Sequence, residues 1–161
     1  MNKLKLALVS CGFLGCSPVA PGTAGTLGGV LIAFLLRDQQ LFPVWVLLVC
    51  AALYAATAPL GRWAERYAGK KDPGIFVMDE VIGYLITVIW LRGPSPLALA
   101  VAFFVFRFFD IVKPPPARAM ERIPGGHGIL LDDVVAGVWG LALVMLPARL
   151  LLADLPWGAE G

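Results

Sequence analysis

The chain contains 161 residues, of which 59% are hydrophobic and 15% are charged, whereas a soluble domain typically has about 45–50% apolar and about 25% charged residues. This composition excludes a disordered tail, a collagen-like fibre and a nucleic-acid-binding arm, and a formal net charge of +2 is too small to indicate a polyanionic partner. We therefore predict a membrane protein. The length suits a single domain over residues 1–161, with a core at about 10–152 and a short tail at 153–161.

Uncharged stretches predict about five apolar helices along the chain. In order, they cover residues 26–36, 43–59, 81–91, 96–106 and 134–152. The second is close to the length that a bilayer core requires, whereas residues 81–91 are marginal for a crossing. The predicted fold is therefore all-α: a helical membrane domain with four or five apolar helices and short amphipathic or loop segments on the cytoplasmic side.

The basic residues predict the orientation of these helices. If the N-terminus is cytoplasmic and all five segments cross, ten of the 13 Lys and Arg residues fall on the cytoplasmic side, as the positive-inside rule requires. The three outer ones are Arg37, Arg92 and Arg149. A soluble bundle with buried apolar helices and solvated charged loops is the alternative interpretation.

Five carboxylates are predicted to meet at the cytoplasmic ends of three apolar segments. Asp79 and Glu80 open the third segment. Asp110 closes the fourth, and Asp132 and Asp133 open the fifth. Helix capping explains why an acid lies at the start of a helix. It does not explain Asp110, which lies at the end of a helix, or why all five carboxylates lie at the same depth in the membrane. Acids beside apolar helices are costly and are typical of functional sites.

Such a cluster requires a bound cation or partial protonation. At a separation of a few ångström, each pair of carboxylates repels by a few kcal/mol even at an effective dielectric constant of about 20. Oxygen ligands without histidine or cysteine suit Mg²⁺, Mn²⁺ or Ca²⁺ rather than zinc. The three cysteines form no CxxC pair and there is one histidine, so neither structural zinc nor a disulfide framework is expected. The acids therefore predict a metal site.

A glycine-rich turn at residues 16–29 leads into the first apolar helix. Thr23 or Thr26 is the expected N-cap of that helix, and the exposed backbone N–H groups beside it suit an anion such as phosphate. The alternative is close helix packing, because residues 25–29 also match the GxxxG pattern.

A second glycine-rich turn at residues 124–128 precedes the last pair of acids. It contains Gly126 and His127, which we predict as phosphate contacts. His127 has no partner in the sequence that would orient it, so a loop position or an auxiliary contact is expected rather than a catalytic base.

Two basic residues flank Asp110. Lys113 lies three residues beyond it and directly before three prolines, which end the helix and place the ammonium group near the acids. Arg107 lies three residues before it. Both are predicted to balance phosphate charge, and a lysine that extends to the membrane interface is the alternative for Lys113.

The motifs that are absent narrow the chemistry. The sequence contains no Cys-x5-Arg, no D-x-D-x-[TV] and no GxxxxGK[ST] motif, and one histidine cannot supply a two-histidine lipid phosphatase. What remains for phosphoryl chemistry is a water molecule activated by a metal ion, with a carboxylate as general base.

Four blocks of the sequence resemble the signature blocks of the bacterial phosphatidylglycerophosphatase A family. They are APGTAGTL at residues 20–27, VMDEVIG at 77–83, FRFFDIVKP at 106–114 and GGHGILLDDVVAG at 125–137. The blocks occur in the order of the family, and the similarity spans about residues 10–140.

The resemblance implies an all-helical enzyme of the bacterial inner membrane that uses Mg²⁺ to hydrolyse phosphatidylglycerophosphate to phosphatidylglycerol and phosphate. Together with the apolar segments and the sided basic residues, it predicts a multi-pass protein with a cytoplasmic active site and a phospholipid substrate. The implied metal ligands are Asp79, Glu80, Asp110 and Asp133. The implied catalytic residues are Asp79, Asp110, Asp132 and Asp133, with Asp132 as ligand or base. The phosphate contacts would be Thr23, Arg107, Lys113, Gly126 and His127.

Three alternatives remain open from the sequence. A small transporter or channel would use the acids as a cation path and would spread them through the depth of the membrane. A soluble helical relative could retain the acids as a regulatory, non-catalytic protein. An enzyme with the same site could also act on a soluble phosphomonoester or on another phospholipid.

Overall fold

The computed structural model describes residues 2–89 and 93–151, and every regular element within them is a helix. This confirms the predicted all-α class. In chain order the α-helices are α1 (Asn2–Val9), α2 (Pro21–Leu36), α3 (Phe42–Thr57), α4 (Gly61–Ala68), α5 (Met78–Thr87), α6 (Pro96–Val112), α7 (Ala117–Met120), α8 (Gly126–Gly140) and α9 (Leu146–Leu151). One helical turn at Ala58–Leu60 joins α3 to α4, and a π-helical stretch at Leu141–Met145 joins α8 to α9.

Two continuous helical stretches of the described residues are long and apolar enough to cross a bilayer. They are Phe42–Ala68, with 27 residues, and Gly126–Leu151, with 26. Only 28% of the most apolar window of Phe42–Ala68 is buried inside the protein. The other apolar helices are shorter, so length alone does not make them spans.

The first and last apolar helices begin earlier than the sequence predicts. α2 begins at Pro21 rather than near residue 26, because proline is well suited to the first position of a helix. The expected N-cap at Thr23 or Thr26 is wrong: the cap position is Ala20, and the Thr26 hydroxyl donates to the Gly22 carbonyl oxygen at 2.9 Å. α8 begins at Gly126 rather than at residue 134.

The short helix α5 forms the centre of the bundle. Eight of its ten residues are buried, and α2, α3, α6 and α8 pack around it. The Tyr84 hydroxyl donates to the Leu99 carbonyl oxygen of α6 at 3.0 Å, which satisfies the one polar atom of a fully buried side chain. The high apolar content of α5 therefore reflects its burial in the protein core on all sides.

Glycines allow α5 to approach two neighbouring helices closely. A methyl group on Gly25 of α2 would lie 2.5 Å from the Val77 Cβ atom, and one on Gly137 of α8 would lie 2.3 Å from the Gly83 carbonyl oxygen of α5. At the second crossing, the Thr87 hydroxyl is 3.0 Å from the Gly83 and 3.3 Å from the Gly137 carbonyl oxygens. The GxxxG glycines thus pack helices together, which confirms the packing alternative for residues 25–29.

Candidate metal and phosphate site

The close crossing of α5 and α8 brings acidic side chains from both helices together. Asp79 and Glu80 lie in the first turn of α5, and Asp133 lies in the second turn of α8. Each of the three offers a carboxylate oxygen, and these oxygens lie within 4.8 Å of one another. Asp79 and Asp133 are 8% and 2% exposed, so little bulk water screens their charges.

Two oxygen atoms of this three-carboxylate cluster have no hydrogen-bond partner among the described residues. Asp79 Oδ1 and Glu80 Oε2 are buried without a hydrogen-bond donor. Burial, and then the neighbouring Glu80, raise the pKa of Asp79 well above its usual range. Burial and the charge of Asp110 raise the pKa of Glu80 despite a hydrogen bond with Asp79 that lowers it. Because unpaired buried carboxylates are costly, hard oxygen ligands in this arrangement fit a divalent cation such as Mg²⁺.

Asp110 lies beside the cluster rather than within it. It occupies the last turn of α6, and its Oδ2 atom accepts a hydrogen bond from Arg107 at 2.6 Å. The structure therefore brings three of the four predicted metal ligands into one group. Asp110 stays close enough to raise the pKa of Glu80 and holds the Arg107 guanidinium in place.

Lys113 is fixed between two acids at the end of α6. It caps the helix in a left-handed conformation, with its backbone N–H donating to the Phe109 carbonyl oxygen at 2.8 Å. Its ammonium group donates to Asp132 and lies 3.0 Å from Glu121 Oε1. Burial lowers the pKa of Lys113, but the hydrogen bond and the charge of Asp132 raise it by more than burial lowers it. The net shift is upward, so the side chain keeps its charge. Asp132 thus contacts Lys113, whereas its neighbour Asp133 joins the cluster.

A cavity of about 360 Å³ opens over the cluster. It is lined by the three acids together with Asp110, Thr23, Arg107 and Lys113. Among the described residues, no cysteine or histidine lines it, so its chemistry depends on carboxylates, cations and water. Acids that suit a metal and cations that suit phosphate face the same space, an arrangement that is consistent with a metal-dependent phosphatase.

Comparison with known proteins identifies the family of this chain. Residues 7–148 match the profile of the family described as Phosphatidylglycerophosphatase A. The chain belongs to the phosphatidylglycerophosphatase A family. The predicted resemblance is therefore confirmed, and with it the predicted class of enzyme, a phosphatase of lipid metabolism.

Three curated relatives cover most of the chain. A protein of Escherichia coli strain K12 named phosphatidylglycerophosphatase A is 37% identical over 146 residues, which cover 85% of this chain and 82% of the relative. The Haemophilus influenzae protein of the same name is 34% identical, with 89% and 88% covered. A putative phosphatidylinositol-3-phosphatase of Bacteroides thetaiotaomicron is 39% identical, with 85% and 89% covered. No solved structure matches the chain.

Two predicted phosphate contacts lie outside the cavity of this family member. His127 is exposed at the start of α8, and its Nδ1 atom is 2.8 Å from the Tyr54 hydroxyl. A methyl group on Gly126 would lie 2.2 Å from the Ala58 carbonyl oxygen. The glycine-rich turn at residues 124–128 therefore packs against the end of α3, and phosphate binding by Gly126 and His127 stays a prediction.

The sequence analysis missed two residues that shape the cavity. Gly22 lies so close to the site that a methyl group there would be 2.4 Å from Glu80 Oε1 and 3.2 Å from an Arg107 terminal nitrogen. Asp72, at a positive φ of 47° in the loop before α5, also lines the cavity. Gly22 belongs to the 20–27 block, so its position was a usable signal, whereas Asp72 looks like an ordinary acid in a charged loop.

Proposed function

We propose that this chain uses a divalent cation, Mg²⁺, to hydrolyse the terminal phosphomonoester of phosphatidylglycerophosphate, with phosphatidylglycerol and phosphate as products. The observation that carries the proposal is the cluster of Asp79, Glu80 and Asp133, two of whose buried oxygens have no hydrogen-bond partner among the described residues. The family and the relatives in Escherichia coli and Haemophilus influenzae support the substrate.

The three clustered acids would hold the cation in this proposal. A bound divalent cation neutralises phosphate charge and lowers the pKa of water, which makes water an effective nucleophile at neutral pH. Asp79 and Glu80 are adjacent on α5, and Asp133 lies on α8, which crosses α5. The ligands therefore come from two rigid helices. Ligands on rigid elements keep their geometry, which favours catalysis.

The cationic side chains of the cavity would bind the phosphate oxygens that the metal leaves free. Arg107 and Lys113 both line the cavity. Arg107 forms an ion pair with Asp110, and Lys113 forms ion pairs with Asp132 and Glu121. Thr23 of α2 also lines the cavity. In this mechanism Asp110 and Asp132 act through the cations that they orient, and charge-assisted hydrogen bonds from these cations stabilise the transferred phosphoryl group.

We further propose that the protein spans the bacterial inner membrane with this cavity at the cytoplasmic surface. If all five predicted segments cross, ten basic residues lie on the inner side and three on the outer side, which supports this orientation. Four of the ten, Arg62, Arg66, Lys70 and Lys71, line a groove at the end of the span Phe42–Ala68. The exposed leucines of α3, such as Leu47 and Leu48 at 55% each, support contact with lipid.

One assay tests the proposed reaction. Phosphate release is measured from phosphatidylglycerophosphate and phosphatidic acid, with Mg²⁺ or with a chelator. We expect Mg²⁺-dependent release from phosphatidylglycerophosphate, and a loss of at least about 100-fold in Asp110→Ala and in Asp133→Ala. Asp38→Ala is the matched control, because that carboxylate is 71% exposed and, among the described residues, its ion pair is with Arg37, away from the cavity. Wild-type activity in both site variants, with folding retained, would refute the assignment.

A second candidate substrate is phosphatidylinositol 3-phosphate. The observation that favours it is the 39% identity with a protein named as a putative phosphatidylinositol-3-phosphatase. Phosphate release from phosphatidylinositol 3-phosphate, measured in parallel with phosphatidylglycerophosphate, discriminates the two substrates, because the ratio of their kcat/KM values reports which headgroup the cavity prefers.

A further inference from the structure

An apolar groove runs along the outer surface between α2 and α6. It has a volume of about 320 Å³, and all of its lining side chains are apolar. The walls are formed chiefly by Leu27, Val30 and Phe34 of α2 and by Ala100, Phe103 and Phe104 of α6. Phe104 is 71% exposed and Leu27 is 53% exposed, so the groove is open to the surroundings of the protein.

The groove lies next to the cavity over the acids, on the same two helices. Thr23 of α2 and Arg107 of α6 line that cavity, and both helices extend from it along the groove. On α2 the groove begins at Leu27, four residues after Thr23, and on α6 it begins at Phe104, three residues before Arg107. Four residues are about 6 Å of helix. The two spaces are therefore separated by about one helical turn on each wall.

The order of chemical groups along α2 and α6 matches the order of groups in an anionic phospholipid. The apolar groove comes first, and the Arg107 guanidinium and the carboxylate cluster with its implied cation follow together in the neighbouring cavity. A phospholipid that carries a terminal phosphate has an acyl chain, then a negatively charged headgroup, then the phosphomonoester. The apolar part of such a molecule would lie in the groove while its anionic part faces cations.

We infer that the groove between α2 and α6 binds an acyl chain of the lipid substrate while the headgroup occupies the acidic cavity. This inference rests on the proposed function, because it assigns the apolar part of the same substrate. On α2 the groove extends from Leu27 to Phe34, seven residues or about 10 Å of helix. It therefore accommodates part of one chain, and the remainder extends toward the bilayer.

The test uses a series of short-chain phosphatidylglycerophosphates that are dispersed as monomers and differ only in acyl length. Transfer of one methylene from water to an apolar site changes affinity by about fourfold. We expect kcat/KM of the wild-type protein to rise with acyl length until the groove is filled. Ala100→Trp fills the groove, and should lower the ratio of kcat/KM between the longest and the shortest substrate by at least about tenfold.

Leu97→Trp is the matched control. Leu97 lies on the same helix and is 47% exposed, but it does not line the groove. The control should keep the wild-type dependence on acyl length. Phe104→Ala provides a second variant that removes a groove wall from an exposed position, and it should weaken the same dependence. A wild-type dependence in both Ala100→Trp and Phe104→Ala, or an equal loss on all substrates, would overturn the inference.

Binding of the same substrates by calorimetry separates the two proposals. Tighter binding of longer chains without phosphate release would refute the proposed reaction and retain the acyl groove. Phosphate release with no effect of acyl length on kcat/KM or on affinity would retain the reaction and overturn the groove.

Discussion

Gly22→Ala tests whether the position of the Glu80 carboxylate at the metal site depends on the absence of a side chain at residue 22. The new methyl group would lie 2.4 Å from Glu80 Oε1, about 1 Å closer than an ordinary van der Waals contact, so the carboxylate must move. Since that oxygen is at the end of a flexible side chain, we expect the free energy of unfolding to change by less than about 1 kcal/mol. A displaced metal ligand should instead cost about 10- to 100-fold in Mg²⁺ affinity or in kcat/KM.

The assay for Gly22→Ala is phosphate release as a function of Mg²⁺ concentration, with the thermal midpoint measured in parallel. Gly74→Ala is the control, because its methyl group would meet only Pro21 at 3.4 Å. The double variant Gly22→Ala/Glu80→Asp shortens the crowded side chain by one methylene and should recover part of the Mg²⁺ affinity that Gly22→Ala loses. Wild-type Mg²⁺ dependence in Gly22→Ala would show that Glu80 is not held as the structure indicates.

Three further predictions concern the polar contacts around the cluster. Asp132→Asn removes the charge that holds Lys113, and we expect kcat/KM to fall about 10- to 100-fold with little change in Mg²⁺ affinity; an equal loss of Mg²⁺ affinity would instead make Asp132 a ligand. Burial and Glu80 raise the pKa of Asp79. Between the ordinary pKa of an aspartate and this raised pKa, the metal-free folded protein binds more protons than the unfolded chain, so its stability should decrease as pH rises through that range. Mg²⁺ competes with those protons, so the increase in Tm on adding Mg²⁺ should be larger at about pH 8 than at about pH 5, and the opposite trend would contradict the raised pKa. Thr87→Val removes the hydroxyl shared by the Gly83 and Gly137 carbonyl oxygens and should lower the free energy of unfolding by about 1–2 kcal/mol, measured by denaturant titration.

The sequence predicted the chemistry of the site better than the geometry of its members. The four blocks identify the acids because residue type alone determines which ligands are available. Adjacent residues on a helix differ by about 100° in direction, and of the two acids in the second turn of α8 it is Asp133 that joins the cluster, whereas Asp132 contacts Lys113. The crossing of α8 with α5 at Gly137 and Gly83 sets which of them does. That rotation depends on tertiary packing and is not encoded in the local pattern.

The same limit explains why the glycine-rich turns were ambiguous. A glycine before a helix exposes backbone N–H groups to an anion, but it also lets a second helix approach, and the two uses have the same sequence pattern. In this protein, Gly126 lies against Ala58 and Gly25 against Val77, so both turns supply close packing. Gly22 differs because the atoms that a methyl group would meet belong to Glu80 and Arg107, the side chains of the site itself. A glycine next to a motif therefore indicates function only when side chains of the site occupy the space that a larger residue would fill. Which side chains occupy that space can be seen only in the folded structure.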